Sequence, residues 1–181
     1  MGYEESIVKY GQRAYPRKKM SFPNWVFLTT SGFIDVKERS LDGKKKGYLV
    51  IVDKFESPRH IICVKEIFDY LKEFTEEVET YRTTMPDIVF ACDRIKHAIE
   101  VETGNNIRDK RKIANKIRLL NERFGKNWFF FVTNRNLERI YSKLGETSTK
   151  RNIKFKIRQI FKNSKKWANL PLRNQGSKQR Y

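Results

Sequence analysis

The spacing of apolar residues along the chain changes several times, and each change marks an element. Short apolar runs between turn residues predict strands over 25–30, 33–36 and 48–52, separated by Ser31-Gly32 and by Leu41-Asp42-Gly43 with its lysine run. Ser57-Pro58 supplies a helix start, with serine at the cap and proline at the first helical position. Ile61, Val64, Ile67, Phe68, Leu71 and Phe74 follow at helical spacing, leaving Glu66, Asp69, Glu73, Glu76 and Glu77 mainly on the other side. Residues 78–84 read as a short strand. The apolar run Ile88-Val89-Phe90-Ala91 and the alternating stretch His97 to Glu102 are expected to pair as a hairpin through Cys92-Asp93-Arg94-Ile95. After the break at Gly104-Asn105-Asn106, a second helical period covers 108–124 through Ile113, Ile117, Leu120 and Phe124, and Gly125 ends it. Trp128-Phe129-Phe130-Phe131-Val132-Thr133 is a continuous apolar run, typical of a strand buried on both faces. Helical patterns are expected over 136–144 and in the basic tail as far as Phe161.

From 58 to 133 the order is therefore helix, strand, strand, strand, helix, strand. This predicts an α/β protein with a mixed central sheet flanked by helices. At 181 residues, 39% hydrophobic, the chain suits one domain with a real core. The expected division is a basic arm over 1–22, a single domain over 23–146 and a basic extension over 147–181. No run approaches the roughly 18 apolar residues of a membrane span, and the N-terminus lacks the apolar region of a secretory signal. The expected location is cytoplasmic, with no membrane partner. Cys63 and Cys92 read as small core residues, and His60 and His97 as a helix-start and a strand-edge residue. There is no Gly-x-Ser-x-Gly elbow for a nucleophilic hydrolase and no glycine-rich phosphate loop for an NTPase or dinucleotide enzyme.

A net charge of +18 points to a polyanionic partner. From Thr147 to the C-terminus there are eleven lysines and arginines and no acid. Lys150, Arg151, Lys154, Lys156, Arg158, Lys162, Lys165 and Lys166 are the candidates for gripping backbone phosphates. DNA is the expected partner. A non-catalytic nucleic-acid binder and a structural RNA-associated protein are the alternatives.

Acids concentrate instead between Glu66 and Glu79 and at Asp87, Asp93, Glu100 and Glu102. A strand places residues two apart on one face, so Glu100 and Glu102 project together, opposite Ile99 and Val101. If the hairpin forms, Asp87 comes close to the same face. Convergent carboxylates on adjacent strands suit Mg²⁺ or Mn²⁺, which take oxygen ligands. The bland alternative is an amphipathic strand with both glutamates in water.

Pro86-Asp87 at one strand and Glu100-Val101-Glu102 on the next, in this element order, resemble the PD-(D/E)xK nuclease superfamily over roughly 58–135. The Glu-Val-Glu-Thr-Gly run before a lysine-rich helix is also similar to nuclease-like proteins of archaeal viruses and plasmids. The resemblance implies a restriction-endonuclease-like core, Mg²⁺- or Mn²⁺-dependent hydrolysis of DNA phosphodiesters, and a homodimer where both strands are cut. It carries the metal-binding aspartate onto Asp87 and the second metal-binding acid onto Glu100. The family's further acid on the first helix falls on Glu66 or Glu73, and Glu66 joins Asp87 and Glu100 in the expected metal set. Glu102 stands where the family usually has lysine. Either Glu102 acts as a base in its place, or a lysine comes from the next helix, where Lys110, Lys112 and Lys116 are candidates and Lys116 is favoured. A degenerate site that only binds is the remaining account.

Overall fold

The computed structural model describes residues 12–52, 56–82, 86–104, 107 and 109–163. Among these the chain is α/β, with five α-helices and two sheets. The smaller sheet has the order β1-β3-β2, formed by β1 (Ala14–Pro16), β2 (Ile34–Arg39) and β3 (Lys45–Val50), all antiparallel. The larger is mixed and ordered β4-β5-β6-β7-β8. It comprises β4 (Val78–Thr80), β5 (Ile88–Cys92), β6 (Ile95–Glu102), β7 (Trp128–Val132) and β8 (Thr147–Thr149). β4, β5 and β6 are antiparallel neighbours, whereas β6, β7 and β8 run parallel.

Helix α2 (Pro58–Leu71) joins the two sheets. Ser57 caps it by accepting the His60 N–H at 3.3 Å. Ile61 and Ile62 pack on Tyr48 and Val50 of β3, while Ile67, Tyr70 and Leu71 pack on the larger sheet. The continuous apolar run of β7 is divided between two cores. Phe129 and Phe131 join α2 and α5 (Ile153–Lys162) on one face, with Ile99 and Val101. Trp128, Phe130 and Val132 join α3 (Lys110–Phe124) and α4 (Arg135–Tyr141) on the other, with Val89 and Ala98. The β5–β6 hairpin closes through Asp93 and Arg94, both at positive φ (50° and 67°), as a two-residue turn with matching twist requires. Gly125 ends α3 at φ 58°, a conformation open to glycine.

Three expectations are corrected. Residues 25–30 are not a strand but part of α1 (Phe22–Thr30). Ser21 caps the Asn24 N–H, Pro23 sits in the first turn, and Thr29 and Thr30 hydroxyls bond back to Trp25 and Val26 carbonyls at 2.9 Å. Local capping outweighed the strand preference of β-branched and aromatic residues. The arm over 1–22 does not stay outside the fold, because Ala14 and Tyr15 are buried and pair with β3. The extension from 147 begins inside the larger sheet, with β8 on β7 and Ile153, Ile157 and Phe161 of α5 buried against it. Apolar positions at helical spacing anchor α5 despite its charge. Among the described residues, no helix is long and apolar enough to cross a membrane.

Candidate active site

Ile88 pairs with Ile99, so Asp87, one residue before β5, stands opposite Glu100 at the same end of the sheet. Glu102 lies two residues on and shares the Glu100 face. That face is covered by α3 and α4, and neither glutamate is in water: Glu100 is 4% and Glu102 2% exposed. Asp87 is also buried, and its Oδ2 accepts the Val101 backbone N–H at 2.7 Å. Uncompensated buried carboxylates are strongly disfavoured. Here the compensation comes from α3, whose Lys116 Nζ pairs with Glu100 Oε1 and lies 3.4 Å from Glu102 Oε1.

The electrostatics follow from this packing. Burial and the Asp87 charge push the Glu100 carboxyl well above the usual range, with Lys116 opposing them. Burial disfavours the Lys116 ammonium, but Glu100, Glu102 and Asp87 outweigh it and hold its proton more tightly than in an ordinary lysine. Tyr141 of α4 is fully buried beside Glu102, and its hydroxyl makes no hydrogen bond of ordinary geometry. Burial and the Glu102 charge raise its pKa, so the phenol keeps its proton. Gly104, at φ 103°, follows the strand where α4 approaches closely; a Cβ there would meet Leu137 Cδ2 at 3.2 Å.

A second group borders the first through Asp87. His60, in the first turn of α2, has Nε2 3.2 Å from Asp87 Oδ1 and Nδ1 3.3 Å from Glu56 Oε1. Ligand atoms of Glu56, His60 and Asp87 all lie within 4.8 Å of one another, so the three could hold a metal ion. Burial works against the His60 imidazolium, yet Asp87, with help from Glu100 and Glu102, raises its pKa. Arg13, just before β1, pairs with Glu56 and ties the N-terminal strand to this group. Carboxylate oxygens with one imidazole nitrogen suit Mn²⁺ and other transition metals, while Mg²⁺ prefers oxygen alone.

The expected site is therefore assembled in part. Asp87, Glu100, Glu102 and Lys116 are brought together. Glu66 is not with them: its carboxylate accepts the Leu41 N–H at 2.6 Å and the Tyr48 hydroxyl at 2.5 Å, bracing the smaller sheet against α2. His60, Glu56, Arg13 and Tyr141 were not anticipated. Only the i, i+4 spacing of Glu56 and His60 hinted at a shared face.

The expected phosphate contacts divide likewise. Lys150 bonds the Arg39 carbonyl and lies 3.7 Å from Glu38, and Lys156 pairs with Glu146 over the Phe129 ring. Lys154 sits 5.0 Å from the Tyr70 ring, and Arg158 Nε donates to the Tyr70 hydroxyl at 2.7 Å. Arg151 and Lys162 stay exposed, and Lys165 and Lys166 lie outside the described residues. Comparison with protein-family models finds no match, and comparisons with curated proteins and with solved structures find none either.

Proposed function

We propose that this chain is a metal-dependent nuclease hydrolysing phosphodiester bonds in DNA, with Asp87, Glu100 and Lys116 at its centre. One observation carries the reading. Three buried carboxylates and a lysine, from three separate stretches of sequence, converge at one end of a sheet in a protein of net charge +18. Buried charge clusters seldom stabilise a fold better than apolar packing of the same volume, whereas perturbed, clustered ionisable groups are typical of active sites. The order α2-β4-β5-β6-α3-β7 is the helix-strand-strand-strand-helix-strand order of the PD-(D/E)xK core, which supports the same reading.

Asp87 and Glu100 would hold a divalent cation, Mg²⁺ or Mn²⁺, with His60 and Glu56 available on the Asp87 side. Such an ion neutralises charge on the phosphate oxygens and activates a water. Lys116 keeps its proton, so it serves as a donor and counter-charge toward phosphate or water and not as a base. Glu102 shares the Lys116 ammonium with Glu100 and steadies it where the strand's own lysine would stand.

The test is incubation of the purified protein with linear, supercoiled, single-stranded and four-way-junction DNA in Mg²⁺, Mn²⁺ or EDTA. Cleavage should need the metal, and Asp87→Ala or Glu100→Ala should each lower its rate by at least about 10²-fold with the fold retained. Cleavage that survives both substitutions would place the activity elsewhere. Tight DNA binding without cleavage in any metal would leave the chain a nucleic-acid-binding protein.

A further inference from the structure

A cleft of about 420 Å³ opens at the carboxyl ends of β7 and β8, beside the carboxylate cluster. Its walls include Thr133, Asn134, Arg135, Lys150, Arg151 and Asn152. Strand register gives its distance from the cluster. Glu102 pairs with Val132, and Val132 with Thr149 at the cleft, so two strand spacings, about 10 Å, separate them.

The cleft is rich in donors and poor in acceptors. The Asn134 side-chain oxygen accepts the Leu137 N–H at 3.0 Å, and the Asn152 oxygen accepts the Thr149 N–H at 2.7 Å. Each amide is thereby left with its NH₂ as a donor. Thr133 Oγ1 is buried and has no hydrogen-bond partner. Lys150 is engaged with Arg39 and Glu38, but Arg135 and Arg151 are exposed and make no ion pair among the described residues. Glu138 is the one acid lining the cleft, against three cations. Fixed donors with two unpaired guanidinium groups recognise a phosphate better than any other common ligand group.

We propose that this cleft binds a backbone phosphate of the DNA strand engaged by the carboxylate cluster. This rests on the nuclease reading for the identity of that strand. With a rise of about 3.4 Å per nucleotide, 10 Å corresponds to roughly three nucleotides from the bond that is cut. The cleft thus sets the path of the strand across the carboxyl edge of the sheet, and Arg135 and Arg151 position substrate without touching the reacting atoms.

The test measures binding of a labelled duplex to the full chain in EDTA, where nothing is cut, between about 50 and 300 mM salt. Arg135→Ala/Arg151→Ala should weaken binding about 10- to 100-fold at 0.1 M salt and make the log–log salt slope shallower by about 1.8, for two phosphates lost. Arg135→Lys/Arg151→Lys should restore most of the slope. A control pair at the opposite end of the sheet, Lys96→Ala/Lys126→Ala, should leave it unchanged. An unaltered slope in the arginine-to-alanine variant, or an equal change in the control, overturns the proposal, as does a chain that does not bind DNA. Phosphate-ethylation interference should locate the contact about three nucleotides from the cut. Loss of binding in the arginine variant together with no cleavage by the unaltered chain would uphold the phosphate site and remove the nuclease reading alone.

Discussion

Helices α3 and α5 look alike in sequence and do different work. Both are lysine- and arginine-rich with apolar residues at helical spacing, and both lie on the larger sheet. α5 covers the face of Ile99, Val101, Phe129 and Phe131, which offers no carboxylate. Its cations turn sideways, Lys156 to Glu146 and Arg158 to Tyr70. α3 covers the opposite face, where Glu100 and Glu102 lie among apolar residues, and Lys116 turns inward to meet them. What a basic amphipathic helix does is therefore set by the sheet face beneath it, because a buried carboxylate requires a counter-charge and an apolar face does not.

That contrast can be broken at either helix. The largest effect is expected at the apolar anchor of α5: Ile157→Ala should lower stability by about 3 kcal/mol in urea unfolding while cleavage at saturating DNA stays near normal. A large loss of cleavage in folded protein would mean that α5 serves the site as well as the core. Lys116→Met should behave in the reverse sense. Cleavage should fall by about 10²-fold or more, with a stability loss of about 1–3 kcal/mol, less than for a fully enclosed pair because part of the lysine reaches water. Adding Glu100→Gln should recover stability but not cleavage. Recovery of neither would show that Lys116 is not the counter-charge to Glu100.

The pH dependence sharpens the comparison further. Burial raises the Glu100 carboxyl pKa, so the folded chain binds that proton more tightly than the unfolded one. Its contribution to stability is full below the unfolded value of about 4.3 and is lost as pH rises through the raised folded value. In EDTA, stability should fall across this window by up to about 1.4 kcal/mol per pH unit from this group, and Glu100→Gln should flatten the fall. Identical pH profiles for the two proteins would count against a raised Glu100. The smallest effect belongs to Lys156→Ala, whose pair with the exposed Glu146 should contribute less than about 1 kcal/mol.

Much of the fold could be read along the chain. Ser57-Pro58 announced α2, Gly125 ended α3, and the Cys92 to Ile95 turn and the run from Trp128 set the hairpin and β7, because these signals are local. Residues 25–30 misled because their composition favours a strand while the cap at Ser21 and the proline in the first turn select a helix. In the candidate site, Asp87, Glu100 and Glu102 followed from strand alternation and the hairpin, and Lys116 from its depth in the following helix. Glu66 was chosen by its position on the right helix, but six residues separate it from His60, more than a full turn, and it faces Leu41 and Tyr48 instead.

The sequence by itself determined the α/β order, the positive charge and the pairing of two glutamates on one strand face, since each depends on neighbours within a few residues. Only the tertiary structure decided that this face is buried, that Lys116 compensates it, that His60 reaches Asp87, and that Lys150 and Lys156 are held internally while Arg135 and Arg151 stand free. Those outcomes depend on which helix covers which face of the sheet, and the residues concerned are far apart in the chain.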